Sequence, residues 1–582
     1  MKYYSNERSV QILISLLKEH NIRKVVASPG TTNLPFVGSV MYDSWFEIYS
    51  SVDERSAAYI ACGLASETGE PVVLSCTGAT ASRNYFPGLT EAYYRKLPIL
   101  AVTSTKDSSS IGHLVPQVID RRTLSNDIAL LSEQINPSIN SNGEWDANVR
   151  INRAILELKH RGGGPVHLNL ASIYSRDFSV KELPRERVIR RVEFFDDFPE
   201  LPKGLIGIFV GAHHNFTKQQ TEDIEAFCSS HNAVVFCDHT SGYSGKFKIQ
   251  SALIKAQENA TIIPNLDLLI HIGEVSGDYP SLQIQCKQVW RVNPDGELRD
   301  LWHKLTYVFE MPEEYFFKKY SSEKANCEPT FYLDLKEKYN QILNEIPELP
   351  FSNTWIAQQT AHKMPVNSVV HLGILNTLRN WNFFEIGDTI SLSCNTGGFG
   401  IDGTISTLVG ASLSNIDKLY FVILGDLAFF YDMNVLGNRH LRSNIRILLI
   451  NNGKGTEFRN YNHPGSMFGE DADLYIAAGG HYGNKSPQLV KHYAEDLGFE
   501  YISATTKEEY ISQLDRFVSK RISDKPMLFE VFTNSEEESN ALRIISNTAF
   551  DPKTKIKNTI IGTVKQVLGE STIQQLKKVI KK

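Results

Sequence analysis

The sequence predicts an α/β protein of three doubly wound parallel-sheet domains, and three observations lead there. A chain of 582 residues is too long to fold around one core, so several domains are expected. Short apolar runs of strand length alternate along it with amphipathic stretches of helical period, the pattern of parallel layers whose strands are joined by helices. Several of those runs stop abruptly in Gly, Asn or Asp, and open α/β sheets gather their ligand-binding loops at the carboxyl edge of the strands.

Composition narrows the function. An apolar fraction of 42% and a charged fraction of 22% are those of a soluble globular protein. A formal net charge of −6 gives no electrostatic case for a nucleic-acid partner. Seven cysteines without a Cys-x-x-Cys pair indicate neither a zinc site nor a disulfide framework. The start Met1-Lys2-Tyr3-Tyr4-Ser5-Asn6-Glu7 lacks a signal-peptide pattern, and no apolar run approaches a membrane span. A cytoplasmic enzyme is the expectation.

Residues 1–180 form the first unit. A helix with Val10, Leu13, Leu16 and Leu17 on one face opens it, and strand 24–27 ends at Ser28-Pro29-Gly30. A short strand then leads into Asp53-Glu54-Arg55 and a small-residue helix over 56–64. The block 71–81 reads as a buried strand running into the turn Thr77-Gly78-Ala79-Thr80, followed by a helix over 82–95. Strands 99–103 and 166–170 close the unit, and the charged stretch 176–191, with Pro184, is a linker. The second unit, 192–330, has strands at 205–210, 233–237, 266–272 and 288–292. Gly211 and Gly273 end two of them, and turn chemistry accounts for both. With no clear dinucleotide fingerprint there, a structural role is expected. The third unit, 350–540, holds apolar strands 419–424 and 445–450. A basic tail, 541–582, follows. It carries eight lysines against two acidic residues over 551–582, with Ile573, Leu576, Val579 and Ile580 at helical spacing. Two readings stand for it, a solvated helix or a segment docking on a partner or an anionic surface.

The chemistry concentrates where the third unit's strands end. One stops at Gly425-Asp426-Leu427, the other at Asn451-Asn452-Gly453-Lys454-Gly455. Hard divalent cations take oxygen ligands, and Mg²⁺ is usually held by few protein oxygens plus substrate phosphates. Asp426, the Asn452 amide and a backbone carbonyl just beyond suit it. The interval from Asp426 to Asn452 accommodates one βαβ crossover, which would put both on one sheet edge. Two ordinary strand-end turns would contain the same residues. Upstream, the glycines of Asn395-Thr396-Gly397-Gly398-Phe399-Gly400-Ile401-Asp402-Gly403 would let backbone amides approach a diphosphate, with the next helix offering its N-terminus.

Together these blocks resemble the thiamine diphosphate (ThDP) enzymes. Their signature is Gly-Asp-Gly followed, after a similar interval, by Asn-Asn. Leu427 in place of the second glycine looks less like pyruvate decarboxylase and more like the MenD branch, whose Gly-Ile-Asp-Gly element is similar to residues 400–403. The resemblance covers most of the chain up to about residue 540. It implies a ThDP-enzyme fold of the pyruvate decarboxylase/MenD-like type, a pyrimidine-binding first domain, a central structural domain and a third domain binding diphosphate and Mg²⁺. It further implies that Asp426 and Asn452 ligate the metal by side chains and Lys454 by its carbonyl. Thr77, Gly78, Ala79, Asn84, Gly400, Ile401, Asp402, Gly425, Leu427, Ala428, Asn451 and Gly455 would bind cofactor. Glu54 would hydrogen-bond N1′ of the aminopyrimidine, its pKa raised in a partly desolvated pocket. By itself Glu54 also reads as a helix-start glutamate that complements the macrodipole.

In this family the cofactor domains of two protomers face each other, so the resemblance implies a homodimer or homotetramer with its active site at the subunit interface. The implied reaction is decarboxylation of a 2-oxo acid with transfer of the acyl-anion equivalent to an acceptor. A simple 2-oxo acid decarboxylase, the MenD synthase itself and a catalytically silent ThDP-binding scaffold are the alternatives. Where family arginines grip anionic substrates, this chain has Thr32, Lys106 and Thr396, so two of three cationic contacts are missing and a different acceptor is expected. Arg379 matches a family arginine and is a candidate for substrate binding or domain support. Gln117 matches a family glutamine. His113 is either an acid or base near neutral pH or a surface-loop histidine, and His371 is a further, weaker candidate.

Overall fold

The computed structural model describes residues 3–121, 123–321, 327–481 and 485–549. Beyond residue 549 the expected basic tail lies outside the described residues. Two compact units divide the chain, Met1–Pro199 with Val289–Met311 and Glu200–Gln288 with Pro312–Lys582.

Three sheets organise the chain. The first has strands β1 (Lys24–Ala27), β2 (Glu47–Ser50), β3 (Val72–Thr77), β4 (Ile99–Thr105), β5 (Leu131–Ile135) and β6 (Val166–Ala171), in the order β2-β1-β3-β4-β6-β5. Its ladders are parallel. Strand residues alternate between two cores. Val25, Val73, Leu100 and Val102 pack with the helix Arg8–Glu19, whereas Val26, Leu74, Cys76 and Ala101 pack with the helices Glu54–Thr68 and Phe86–Arg95. A sheet covered on both faces is what continuous apolar strands require.

The second sheet comprises β7 (Arg190–Val192), β8 (Ile206–Val210), β9 (Val234–Cys237), β10 (Lys248–Gln250), β11 (Leu268–Ile272), β12 (Val289–Val292) and β13 (Leu305–Phe309), ordered β10-β9-β8-β11-β12-β13-β7. Its two strand-ending glycines are sterically required. A Cβ on Gly211 would overlap the Glu274 carbonyl oxygen, and Gly273 has φ +74°.

The third sheet contains β14 (Val369–Leu372), β15 (Ser391–Ser393), β16 (Tyr420–Gly425), β17 (Ile445–Asn451), β18 (Glu500–Ala504) and β19 (Met527–Phe532), ordered β15-β14-β16-β17-β19-β18. Counted from its own first strand, this order repeats that of the first sheet. In both, the strand order reverses beside the first strand, and the loops after the first and third strands diverge into a crevice at the carboxyl edge. Thr77 ends the third strand of its sheet, and Asp426 directly follows the third strand of its own.

One sequence expectation differs in detail. The helix expected over 82–95 is two helices, Thr80–Asn84 and Phe86–Arg95, with Tyr85 between them. Pro87 cannot donate to the Arg83 carbonyl, so the first helix stops and Pro87 sits in the first turn of the second, where no donor is needed.

Three polar groups are buried inside these layers as neutral histidines. Burial pushes His167 and His239 down to about 3 and His371 down to about 4. His167 sits between Thr103 Oγ1 at 2.7 Å and Ser132 Oγ at 2.8 Å. A base whose folded pKa lies below its unfolded value destabilises the fold as pH falls through that window. Each such histidine is expected to cost up to about 1.4 kcal/mol per pH unit below roughly 6.5. Urea unfolding at pH 7.5, 6 and 5 should show stability falling with pH, and His167→Gln should flatten the slope. An unchanged slope in that variant would contradict the assignment.

Candidate active site

At the end of β16 the chain turns directly into the helix Asp426–Asp432, which puts Asp426 in its first turn and only 3% exposed. Burial pushes its carboxyl up to about 7, against the hydrogen bonds of the Leu427 and Gly453 amides. β17 runs beside β16 in parallel register, Gly425 opposite Ile450, so the 451–455 loop leaves the sheet next to Asp426. There Asn451 Oδ1 accepts from the Gly453 amide at 3.2 Å, and Gly453 has φ +75°. Asn452 Oδ1 is buried and, among the described residues, has no hydrogen-bond partner. The Lys454 carbonyl accepts from the Thr456 amide at 2.9 Å and keeps a second lone pair, while its ammonium pairs with Asp473. A buried carboxyl, an unpartnered amide oxygen and a carbonyl form an oxygen donor set that fits a hard divalent cation.

Around this centre the other expected contacts divide. Gly425, Gly397 and Gly398 each face open space where a Cβ would point. Gly403, at φ +73°, precedes the helix Thr404–Ser412. The Ser406 amide of that helix donates to Asp432 at 2.6 Å, a link the sequence reading missed. Gly400 is pressed against the Asp402 carboxylate, Ile401 is half-buried and Leu427 and Ala428 lie in the helix that Asp426 begins. The Gly455 amide donates to the Ala477 carbonyl at 2.6 Å. Thr396 is buried against Gly277. Arg379 pairs with Glu457 and stacks 3.9 Å above the centroid of the Tyr279 ring, so its charge has a partner within the fold. His371 Nδ1 lies 2.8 Å from Ser393 Oγ.

In the first unit the loop after β1 docks on the end of β3. A Cβ on Gly30 would lie 2.7 Å from Thr77 Cβ, so only glycine allows the approach. Thr32 Oγ1 donates to the Ser104 carbonyl at 2.8 Å, accepts from the Gly78 amide at 3.3 Å and meets the Thr77 hydroxyl. Its hydroxyl is therefore a strut of the turn. Ala79 holds φ +59°, a strained value for a residue with a Cβ. Glu54 is half-buried at the start of its helix, behind an Asp53 cap that accepts from the Ser56 amide at 2.8 Å. The Glu54 charge acts on the buried Cys76 and Tyr85 below it. Asn84 and His113 are exposed, Lys106 is half-buried, and Gln117, at φ +65°, brings its carbonyl beside Gly78.

Sequence reasoning missed Arg121. It is 2% exposed and bonds Asn169 through Nη2, yet Nε and Nη1 have no acceptor among the described residues. Nη1 lies 3.6 Å from where a Cβ on Gly78 would be. Burial pushes its pKa down to about 10, and the charges acting on it are those of Cys76, Arg83 and Tyr174. No motif marks it.

The model of the thiamine pyrophosphate enzyme N-terminal TPP binding domain matches residues 8–124. The 2-succinyl-5-enolpyruvyl-6-hydroxy-3-cyclohexene-1-carboxylate synthase of Bacteroides thetaiotaomicron is 31% identical over 560 residues, which is 93% of this chain and 98% of that protein. The synthase of the same name from Phocaeicola vulgatus is 31% identical over 565 residues, with the same coverage. A solved thiamine diphosphate-dependent 4-hydroxybenzoylformate decarboxylase of Rhodococcus jostii RHA1 covers 90% of this chain at 16% identity, with a TM-score of 0.37, too low to bear on the arrangement of domains.

The seat of Glu54 makes a testable claim. Gly88 lets the helix Phe86–Arg95 lie directly on Ala58 of the Glu54 helix, and a Cβ there would overlap the Ala58 methyl. Gly88→Ala should force the two helices apart and cost about 1–3 kcal/mol by urea denaturation, with turnover falling more than stability explains. Wild-type stability in that variant would refute the tight seat.

Proposed function

This chain belongs to the thiamine diphosphate-dependent, MenD-like enzymes, and from that premise we propose that it decarboxylates a 2-oxo acid and passes the acyl-anion equivalent to an acceptor, with Mg²⁺ as the metal. The observation that carries the reading is the buried Asp426 carboxyl beside the unpartnered Asn452 Oδ1, at the switch point of the third sheet.

Asp426, Asn452 and the Lys454 carbonyl would hold Mg²⁺. Gly425, Leu427, Ala428, Asn451, Gly455 and the backbone of 400–402 would line the diphosphate, and Thr77, Gly78, Ala79 and Asn84 the aminopyrimidine. Bound, ThDP supplies the electron sink that makes loss of CO₂ from a 2-oxo acid possible. Glu54 would hold the proton at N1′ of the aminopyrimidine, its position fixed by the Asp53 cap and the Gly88 contact. Arg121, whose Nε and Nη1 have no acceptor among the described residues, is suited to donate a charge-assisted hydrogen bond to a carboxylate. Lys106 adds a second cation after β4, whereas Thr32 and Thr396 bring none. That cation pattern supports a 2-oxo acid donor with an acceptor unlike that of the relatives. Gln117 and His113, on the loop after β4, are the candidates to face it.

Assembly follows from the surface around these groups. Val52, Tyr59 and Ile60 beside Glu54 are 79%, 48% and 43% exposed, and Met467, Leu474 and Tyr475 in the other unit are 79%, 68% and 92% exposed. Apolar surface of this extent is usually covered by a partner. We take that partner to be a second copy in a cytoplasmic homodimer or homotetramer, with Glu54 of one protomer serving the cofactor held by the other. No helix among the described residues is long and apolar enough to cross a membrane.

A mass-spectrometric screen with ThDP, Mg²⁺ and a panel of 2-oxo acids, pyruvate and 2-oxoglutarate first, tests the reading. One donor should release CO₂, and Glu54→Gln should slow that release by about 10²- to 10⁴-fold. Aldehyde formed at full rate without an acceptor would mark a simple decarboxylase. ThDP binding with no donor consumed would mark a silent scaffold.

A further inference from the structure

β19 lies between β17 and β18, and at its centre Glu530 is 1% exposed. Its Oε1 accepts from Asn451 Nδ2 at 2.7 Å and its Oε2 from the Tyr501 hydroxyl at 2.8 Å. Among the described residues no ion pair is recorded for Glu530. A buried carboxylate without a cation is costly, so its retention in a β-sheet core calls for a role.

Hydrogen-bond chemistry supplies one. The two ends of an asparagine amide are different, one donating and one accepting, while a carboxylate only accepts. Glu530 therefore fixes the orientation of Asn451, turning the NH₂ inward and the carbonyl oxygen outward to the Gly453 amide. That bond closes the turn between Asn452 and Lys454, and the same amide bonds the Asp426 carboxylate. A chain of contacts thus runs from Tyr501 through Glu530 and Asn451 to the cation-binding oxygens.

We propose that Glu530 is a positioning residue for the metal loop, holding residues 451–454 in their cation-binding shape by dictating the Asn451 amide orientation. The inference rests on the cation site proposed above. Groups that orient metal ligands typically contribute 10- to 100-fold in metal affinity.

Mn²⁺ binding to the full chain in the presence of ThDP, read as loss of the free-ion electron paramagnetic resonance signal, tests it without reference to turnover. Glu530→Met should raise the Mn²⁺ Kd by about 10- to 100-fold while the metal-free protein still melts cooperatively. Glu530→Gln, whose amide oxygen can still accept from Asn451 while its NH₂ meets the Tyr501 oxygen, should stay within about threefold of wild type. Asn451→Leu, which breaks the same link from the other side, should match the loss in Glu530→Met. Wild-type affinity in Glu530→Met overturns the proposal, as does Glu530→Gln binding as weakly as Glu530→Met. If Glu530→Met does not fold, Asn451→Leu decides, and wild-type affinity there overturns the proposal. A wild-type chain that binds no Mn²⁺ would instead remove the cation site itself.

Discussion

A carboxylate taken out of water at the end of a central parallel strand must be neutralised, by a proton or by a cation. Asp426 is such a group, 3% exposed and pushed up to about 7 by its burial. The strand order around it makes the burial useful. Because the strand order of the third sheet reverses between the parallel neighbours β14 and β16, the helix start that carries Asp426 opens onto a crevice, and β17 delivers Asn452 to the same edge. The unpartnered Asn452 Oδ1 and the Lys454 carbonyl complete a hard-cation donor set whose affinity would compensate the desolvation. Contacts brace its surroundings: Asp432, at the far end of the helix that Asp426 begins, accepts from the Ser406 amide, and Glu530 on β19 accepts from Asn451.

The first unit repeats the strand order but uses it differently. Its switch point carries no acidic group like Asp426. It presents a turn held by Thr32 and by the close approach of Gly30 to Thr77, with Ala79 in a strained conformation and Arg121 buried beside Gly78. Such a site can bind an organic group by shape and a carboxylate by charge. One topology thus ends in two chemically different turns, and the division of labour proposed above between pyrimidine and diphosphate binding would follow from which residues end the third strand.

Much of this is legible in the sequence for a physical reason. Strands buried on both faces are unbroken apolar runs, so β1, β16 and β17 stand out, and a Gly, Asp or Asn at their ends marks the loop. β7, β10 and β13 do not stand out. They are three to five residues long with charged or hydroxyl side chains, and pairing with neighbours makes them strands. The break at Tyr85 was implicit in Pro87. Among candidate site residues, Glu54, Asp426 and Asn452 declare themselves by type and position. Arg121, Asp432 and Glu530 do not, because their roles arise from contacts with residues 48, 26 and 79 positions away.

The central claim is that Asp426 and Asn452 couple cofactor binding to a divalent cation. Calorimetric titration of ThDP into the purified chain, with and without Mg²⁺, measures that coupling directly. Tight binding should require Mg²⁺ and should weaken by about two orders of magnitude or more in Asp426→Asn, since the substitution keeps an oxygen there but removes the negative charge that the cation neutralises. ThDP binding of equal strength without a cation, or undiminished in Asp426→Asn, would contradict the account.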